Sequence, residues 1–576
     1  MRYGRWIPVK AGLVLVSLAL LAVSIGSMAD PVRANPIVPA NQYMVTASHP
    51  LAARAGARIL EQGGNAVDAA VATAAAIGVV EPWFSNILGG GTWALFYNVK
   101  EGRVLNLEAV GPAPTGATPE FFSNLDLPAY GVHQANIPAA FDGWTLILAK
   151  YGTKSLKEVL APAIALAENG FPVGKDFVTQ SANSRDEIAK YPSSARIYLK
   201  NGQPYKIGDI LVQKDLATTY KRLVQVEQDN LGRGRAEAIR AARDFFYSGP
   251  IMKALVKFSQ ENKGLFTEAD FAKVQARFVE PIRIAYRGLD VYQNAPNSQG
   301  ITMLMALNIL EGYDLKKMDP KSAETIHLIA EAVKLAFADR HWYVGDPDFV
   351  KVPVDKLLSK DYAAAQRKRI DMQTAKEWPI QGGLEQFTKN TTTILVKDQA
   401  GNALSITTSI GSNWVVMGDT GIVINNRMPM FDVEAGLPNQ VQPGKKVRHT
   451  SNPAMALKDG KPVLLWACSG VDTQPQVQVQ GFVNVVDFGM SPLDAVAAPR
   501  FIQHSFPVTR VRVASNVLAL ERGRFAPDVV EALKARGHKI GDRAIFGNMN
   551  MILLDPATGA ILAGVDPRQE GYAVGW

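Results

Sequence analysis

Three consecutive threonines, Thr391–Thr393, open a stretch that reads TTTILVKDQAGNALSITTS. A threonine hydroxyl is a weak nucleophile at neutral pH, so it attacks an amide only when a base accepts its proton. The α-amine of a chain that begins with threonine is such a base, because its pKa is about 7.7–8.0. In this sequence that amine does not exist until the Asn390–Thr391 bond is cut. The residues alone leave two interpretations open: a threonine-rich strand, or a nucleophile that chain cleavage exposes.

The element that must position these hydroxyls is a predicted β-hairpin. Both arms are rich in β-branched residues, and the turn between them, residues 398–402, reads DQAGN, a composition typical of a tight turn between strands. Residues 368–389, which precede the hairpin, are polar and contain two adjacent glycines. Such a segment predicts an exposed linker, which suits chain scission.

Hydrophobic periodicity divides the chain into a helix-rich first part and a strand-rich last part, with the boundary near Thr391. In the first part we predict a strand at 44–48, then helices in the run AVDAAVATAAAIGVV and within residues 140–180, 215–260 and 321–340. In the last part we predict strands at TTTILVKD, ALSITTSI, GIVINN, AMALKDG, PVLLWAC and MNMILLDP, and helices at 473–486 and 526–537. With 576 residues, 47% of them hydrophobic and 20% charged, the chain has the composition of a globular protein with a large core.

Several common kinds of site are excluded by their missing motifs. The glycines Gly89–Gly91 are not followed by Lys-Ser/Thr, so they do not form a phosphate loop, and the serine-hydrolase elbow G-x-S-x-G is absent. There is no His-Glu-x-x-His, and the scatter of the seven histidines argues against a metal centre. Cys468 is the single cysteine, which rules out an intramolecular disulfide; we expect a small buried residue rather than a reactive thiol. No cofactor is predicted.

Residues 1–29 have the pattern of a secretory signal peptide. Arg2, Arg5 and Lys10 precede an apolar run at 11–26, and Ser27-Met28-Ala29 places small residues at the cleavage positions. An uncleaved membrane anchor is the alternative, although the run is shorter than the roughly 20 residues of a spanning helix. Cleavage would lower the formal charge from +8 to +5. We therefore predict a periplasmic or secreted protein with no nucleic-acid partner and no membrane association after cleavage.

Eight motifs follow one another along the chain. They are ILEQGGNAVDAAVATAAAIGVVEPWFSNILGGG (59–91), NIPAAFDGW (136–144), YGTKSLKEVLAPAIALAENGF (151–171), ADRHWYVGDPDFVKVP (338–353), NTTTILVKDQAGNA (390–403), GIVINNRM (421–428), APRF (498–501) and VDPR (565–568). This ordered series resembles the gamma-glutamyltransferase family over nearly the whole chain that follows the signal segment. A resemblance of this length is far more specific than any one motif.

The resemblance implies an α+β fold, the four-layer αββα sandwich of the N-terminal-nucleophile hydrolases. It also implies a precursor that cuts itself between Asn390 and Thr391 into a helix-rich large subunit, residues 35–390, and a strand-rich small subunit, residues 391–576. Thr391 would then attack its own preceding peptide bond first and the substrate amide afterwards. By the same resemblance, the hydroxyl of Ser409 supports the nucleophile, and the backbone N–H groups of Gly470 and Val471 bind the oxyanion.

The acyl-binding positions depart from the family pattern. The family arginine that binds an α-carboxylate corresponds to Glu108, and the family acid that binds an α-amine corresponds to Met430. A glutamate would oppose a carboxylate, and loss of one partner of a desolvated charge pair costs about 2–5 kcal/mol. A paired serine site corresponds to His449-Thr450, and Gly411 replaces a family asparagine. We therefore predict poor activity on the γ-glutamyl zwitterion of glutathione.

Two replacements for the lost contacts are open. Arg427 with His449 would bind an acyl carboxylate that lacks a neighbouring amine, as in family members that act on glutaryl-cephalosporins or oxamate; alternatively, Arg427 is a surface or ion-paired residue. Six large side chains would make a more apolar pocket, although each also suits core packing: Trp83, Phe84, Trp93, Trp414, Met428 and Met430.

Three functions remain open on the sequence. The first is a self-processing amide hydrolase or acyltransferase that acts on a small-molecule amide or peptide, with the two subunits of one precursor as its protein partners. The second is a glutathione hydrolase with a γ-glutamyl site made of other residues. The third is a processed but inactive binding protein, against which the complete set of Thr391, Ser409 and Gly470 argues.

Overall fold

Two seven-stranded, mostly antiparallel sheets form the centre of the computed structural model, which describes residues 36–123, 131–377, 391–506, 514–543 and 547–576. The strands are β1 (Val38–Ala40), β2 (Met44–Ala47), β3 (Gly91–Asn98), β4 (Arg103–Ala109), β5 (Phe171–Pro172), β6 (Ile210–Leu211), β7 (Arg277–Val279), β8 (Ile282–Tyr286), β9 (Leu289–Gln293), β10 (Thr392–Lys397), β11 (Ala403–Ser409), β12 (Ala454–Lys458), β13 (Lys461–Ser469), β14 (Phe501–Gln503), β15 (Val517–Glu521), β16 (Lys539–Arg543), β17 (Asn548–Leu554), β18 (Ile561–Val565) and β19 (Tyr572–Gly575).

Helices cover the sheets on their outer faces. They are α1 (Pro50–Glu61), α2 (Ala66–Val80), α3 (Pro119–Ser123), α4 (Ala140–Tyr151), α5 (Leu156–Asn169), α6 (Lys175–Asn183), α7 (Arg185–Ala189), α8 (Pro192–Tyr198), α9 (Lys214–Asp229), α10 (Arg235–Ser248), α11 (Pro250–Glu261), α12 (Glu268–Phe271), α13 (Gly300–Leu310), α14 (Ala323–Tyr343), α15 (Val354–Leu357), α16 (Lys360–Arg367), α17 (Thr473–Val486), α18 (Pro492–Ala497) and α19 (Pro527–Ala535), with short 3₁₀ turns between some of them.

The two large sheets pack face to face and produce four layers. The first sheet has the order β19-β2-β10-β11-β3-β4-β7, and the second has the order β1-β18-β17-β13-β12-β9-β8. Side chains such as Leu395 from the first sheet and Leu465 from the second form the apolar layer between them. Helices α1, α2 and α5 pack on the outer face of the first sheet, and α13, α14 and α17 pack on the outer face of the second. The predicted α+β sandwich with four layers is confirmed.

Helix α2 illustrates how local sequence fixes these layers. Asn65 caps its first turn by accepting from the backbone N–H groups of Val67 and Asp68, while the Asp68 carboxylate accepts from the N–H of Asn65, which is a capping box. Every side chain of the helix is buried. Its small residues therefore allow close packing between α1, α5 and the first sheet, as the sequence predicted.

Most predicted elements are confirmed, since α2 and α17 match their predicted bounds and the turn at 398–402 joins β10 to β11. The strand predicted for GIVINN is wrong. Its backbone makes a single antiparallel bridge, between Val416 and Val423, around a 3₁₀ turn at Gly418–Thr420. A short chain reversal with glycines in the left-handed region at 418 and 421 interrupts the pairing.

Two predictions concern residues outside the described ranges. The signal segment, residues 1–29, and the cleavage-site residue Asn390 both lie there, so the subunit boundaries remain predictions. Within the described ranges, none of the helices combines the length and the apolar character that a bilayer-crossing helix requires.

Candidate active site

Thr391 lies immediately before β10, at the end of the first sheet where β10 and β11 are paired. It is 4% exposed, and its Oγ1 donates to the Oγ of Ser409 across 3.3 Å. The β10–β11 register pairs Thr392 with Thr408, which brings residues 391 and 409 side by side on the face that points towards the second sheet. Ser409 Oγ also accepts from the backbone N–H of Gly411 at 2.9 Å. The structure therefore brings together the two hydroxyls that the sequence singled out.

Gln474, in the first turn of α17, is a third contact of the Thr391 hydroxyl. One end of its amide lies 3.3 Å from Thr391 Oγ1. The other end faces three acceptors, the carbonyls of Thr450 and Cys468 and the Oδ1 of Asn452, at 2.9, 3.0 and 2.7 Å. Those acceptors require the nitrogen, so the amide oxygen faces Thr391 and is an alternative to Ser409 as the acceptor of its single hydroxyl hydrogen. Sequence reasoning missed this residue, although four glutamines in TQPQVQVQ, all buried here, are an unusual feature of a helix.

The turn between β13 and α17 carries the predicted oxyanion donors. Gly470 has φ +114° and Val471 has φ +49°, so the chain passes through the left-handed region at two successive residues. A β-branched residue rarely adopts that conformation, and surrounding contacts must enforce it. The next residues form the N-terminus of a 14-residue helix, an end that favours negative charge. This backbone geometry is compatible with oxyanion binding at residues 470 and 471.

Buried polar contacts hold that turn in place. Gln299 Nε2 donates to the carbonyls of Thr450 and Val471, at 2.9 Å each. Gln299 Oε1 accepts in turn from Arg340 at 2.7 Å, and the same guanidinium is ion-paired with Asp472. The strained residue Val471 is thus held by Gln299, at the N-terminus of α13, and by Arg340 of α14, both of which precede the predicted cleavage site.

Among the predicted acyl-binding residues, Arg427 contacts both Met430 and Thr450. Arg427 is 1% exposed, and its Nη1 lies 3.3 Å from Met430 Sδ and 3.2 Å from Thr450 Oγ1. This burial shows that the interpretation of Arg427 as a surface residue is wrong, whereas its interpretation as an ion-paired residue stays a prediction.

His449 is buried next to Arg427. Its Nδ1 accepts from the backbone N–H of Ser451 at 3.2 Å, so in the neutral ring the proton is on Nε2. Burial, together with the positive charge of Arg427, holds the pKa of His449 well below its usual range. Nε2 points towards Gly91, the residue paired with Ser409, and no described residue accepts its hydrogen. A neutral donor and a cation thus lie close to residues 91 and 411, which flank Ser409.

Gly411 needs to be glycine at its position. Its φ is +93°, and a Cβ there would collide with Asn426 Oδ1. The asparagine found at this position in the family would therefore require a different local backbone, so Gly411 belongs to the altered part of the site.

Glu108 is not an isolated negative charge. Its carboxylate accepts from Arg277 Nε at 2.8 Å and is also paired with Lys446, while Asp348 lies within 3.3 Å of Lys446. Two cations, Arg277 and Lys446, offset the charge of Glu108, so its repulsion of a substrate carboxylate would be weaker than that of an isolated carboxylate, and its role in substrate binding stays a prediction.

The apolar candidates divide into core residues and pocket residues. Trp83 stacks on Trp414, with ring centroids 5.5 Å apart, and both belong to the core of the first sheet with Phe84. Met428 and Met430 instead belong to a small separate cluster with Phe431 and Val447, beside Arg427. Core packing accounts for the first group, whereas the two methionines belong to the cluster next to Arg427.

Glu81, on the outer face of the first sheet, was not predicted from the sequence. Its Oε2 accepts from Ser48 at 2.5 Å and from Thr392 at 2.9 Å, so it binds the residue next to Thr391. Burial raises the pKa of Glu81 to about 7, and the two hydroxyls only partly oppose this effect. The sequence signal was an acid directly after the apolar last turn of a helix, in VVEPW. Burial also raises the pKa of Cys468 to about 12, as expected of an unreactive core thiol.

Comparison with known proteins yields a consistent result. Residues 52–576 match the family described as Gamma-glutamyltranspeptidase. The chain is 36% identical to the Acylase ACY 1 proenzyme of Pseudomonas sp. (strain SE83), over 92% of this chain and 93% of that protein. It is 34% identical to the Glutathione hydrolase proenzyme of Escherichia coli (strain K12), over 92% and 91% of the two chains. Its fold superposes on a cephalosporin acylase from Bacillus halodurans with a TM-score of 0.83, at 31% identity, covering 94% of this chain and 97% of the other.

Proposed function

The chain belongs to the gamma-glutamyltranspeptidase family, and from that premise we propose that it is an exported, self-processing amide hydrolase whose acyl site prefers an acid without an α-amine. The observation that carries the proposal is the buried Thr391 hydroxyl, 3.3 Å from Ser409 Oγ and 3.3 Å from the Gln474 amide. Export is supported by the pattern of residues 1–29.

In the proposed reaction, cleavage of the Asn390–Thr391 bond first creates the α-amine of Thr391. That amine accepts the proton of Oγ1 as the oxygen bonds to the carbonyl carbon of the substrate amide. The N–H groups of Gly470 and Val471 donate to the resulting oxyanion. The carbon–nitrogen bond then breaks, and the leaving amine takes the proton from the α-ammonium. Water attacks the threonine ester, releases the acid and restores the hydroxyl.

The contacts of Arg427 and His449 support the proposed acyl preference. A cation and a neutral N–H donor, both buried, suit the two oxygens of a carboxylate at the end of an acyl chain. Met428 and Met430 would contact the methylene groups of that chain. The similarity to the Acylase ACY 1 proenzyme and to the cephalosporin acylase agrees with this preference.

Glutathione hydrolase activity is the second candidate, because the chain is also 34% identical to the glutathione hydrolase proenzyme of Escherichia coli. The α-amine of a γ-glutamyl group needs an acidic partner, whereas Met430 stands at the corresponding position and Arg427 lies 3.3 Å from its sulfur. A cation next to an ammonium disfavours that substrate.

A panel of anilides tests the proposal. We expect glutaryl anilide to be turned over with a kcat/KM at least ten times that of γ-glutamyl anilide, with a simple acyl anilide in between. Gel analysis should show fragments of about 40 and 20 kDa, and the N-terminal sequence of the smaller fragment should begin at Thr391. Efficient γ-glutamyl turnover would support the second candidate, and a single uncut chain would overturn self-processing.

A further inference from the structure

A buried cluster of metal-ligating side chains lies on the far side of the second sheet, away from Thr391. His327 and Glu331 are one turn apart on α14, and His538 follows α19. One ring nitrogen of each histidine and one carboxylate oxygen of Glu331 all lie within 4.8 Å of one another. The three side chains are 0%, 1% and 6% exposed, respectively.

The hydrogen bonds of His327 leave the correct nitrogen available for a metal ion. Its Nε2 lies 2.8 Å from the carbonyl oxygen of Asp371, which can only accept, so this nitrogen carries the proton. The lone pair of Nδ1 therefore accepts the hydrogen of His538 Nε2, at 2.8 Å, and a metal ion would replace that hydrogen while His538 keeps its proton on Nδ1. A ligand histidine whose second nitrogen donates to a carbonyl is the usual arrangement in metal sites.

The carboxylate of Glu331 is oriented towards the same position between the two histidines. Its Oε1 accepts from Lys334 Nζ at 2.6 Å, and its Oε2 accepts from the backbone N–H of Lys376 at 3.3 Å. Each carboxylate oxygen retains a lone pair for a metal. Zinc–nitrogen and zinc–oxygen bonds of about 2.0–2.2 Å place tetrahedral ligand atoms about 3.3 Å apart, so small side-chain rotations convert this cluster into a three-ligand site.

We propose that His327, Glu331 and His538 bind a divalent transition-metal ion of the zinc class, which links the chain before residue 391 to the chain after it. His327 and Glu331 precede the predicted cleavage site, whereas His538 follows it. The fourth ligand position is left to water. The proposal is independent of the reaction at Thr391.

The site also holds the segment that leads to the cleavage region. Asp371 accepts from His327, and Lys376 contacts both Glu331 and Lys334 through its backbone. The N–H of Ala375 donates to the carbonyl of Arg536 at 2.7 Å, close to His538. A metal ion would therefore fix residues 371–377 against the helices of both predicted subunits.

Lys334 competes with the metal, because its ammonium already neutralises Glu331. Its positive charge repels a divalent cation at the same carboxylate, so we expect weaker binding than in a structural zinc site. Lys334→Met removes the competing charge and retains most of the volume. This variant is expected to bind zinc about ten times more tightly than the wild type, an effect that a purely structural hydrogen-bonded cluster would not produce.

The test measures metal content and affinity on the full chain. Chelator-treated protein is supplied with one equivalent of zinc, desalted and analysed for metal, and cobalt replaces zinc in a parallel sample to report tetrahedral coordination by visible absorption. We expect one zinc per chain and intense cobalt bands. A wild type that retains no zinc and shows no cobalt bands overturns the proposal.

Variants locate the metal. His538→Ala and the milder Glu331→Gln should each weaken zinc binding at least tenfold, while circular dichroism verifies their folding. His504→Ala removes a histidine outside the cluster and should leave binding unchanged. Zinc binding that survives intact in both cluster variants overturns the assignment, and the direct measurement on the wild type decides the matter if a variant fails to fold.

Discussion

Two neighbouring regions of the molecule differ in the interactions that fix the positions of their side chains. The nucleophile region, Thr391 with Ser409, Gly470 and Gln474, contains short neutral groups whose places follow from strand register and from one helix N-terminus. The acyl-pocket region contains a buried cation, Arg427, beside a neutral histidine, His449. Geometry that the backbone fixes tolerates changes of side chain. A buried charge, in contrast, selects the ligand, because the ligand must compensate for the free energy that desolvation of the charge costs. A chain built in this way can change its substrate through the buried charge while the backbone-fixed region keeps the reaction.

Thr391→Ala breaks the nucleophile region most completely. We expect no cleavage at residue 391 and a loss of amidase activity of about 10⁴-fold or more, because no other group can form the acyl-enzyme. Gel analysis and anilide turnover measure the two effects. Thr393→Ser is the matched control, since it alters a threonine on the same face of β10 and should still be processed. Normal fragments from Thr391→Ala would contradict the assignment.

Arg427→Met breaks only the acyl-pocket region. Loss of the buried cation should lower the ratio of glutaryl to simple acyl anilide turnover by about 10²-fold, the equivalent of roughly 3 kcal/mol. Because both substrates are measured on one preparation, any loss of folded enzyme cancels. Met430→Leu keeps the charge and should change the ratio less than threefold. An unchanged ratio in Arg427→Met would show that the guanidinium does not touch the acyl group.

Ser409→Ala tests how far the nucleophile region depends on a single hydrogen bond. Removing the 3.3 Å contact to Thr391 should slow turnover of every anilide by about 10- to 100-fold, without changing the ratio between substrates. Ser409→Thr restores a hydroxyl and should recover most of the activity. A change in the substrate ratio would mean that the two regions are not separable.

Glu81→Gln alters the contact between Glu81 and Thr392 of β10, and it changes neither the nucleophile region nor the acyl-pocket region. Burial raises the pKa of Glu81 to about 7 from its ordinary 4.5, with Asp176 and Glu570 adding to the effect, so the folded state favours the protonated acid. This contribution to stability is complete below pH 4.5 and is lost as the pH rises through 7. The wild type should therefore lose up to about 3 kcal/mol of unfolding free energy relative to Glu81→Gln over that range. Urea unfolding of both proteins at several pH values measures the difference in unfolding free energy. A difference that stays constant with pH would contradict the prediction.

Much of the fold and part of the site were predictable from the sequence. The bounds of α2 and α17 follow from local periodicity, and the β10–β11 turn follows from its residues. The prediction of a strand at GIVINN was wrong because a run of β-branched residues predicts extended backbone but does not predict a neighbouring strand that pairs with it. Gln474 and Glu81 were missed because their importance depends on which side chains surround them, and these lie 83 and 311 residues away along the chain.

Local patterns and ordered motifs in the sequence are enough to identify the family, the order of most elements and Thr391 as the residue to test. The pairing of Glu108 with Arg277, 169 residues away, and of His327 with His538, 211 residues away, arises only from tertiary packing. Scattered histidines had argued against a metal centre, yet packing of α14 near α19 brings two of them together with Glu331. Such contacts join residues whose separation along the chain carries no local signal, so the packing of whole elements fixes their charges and partners.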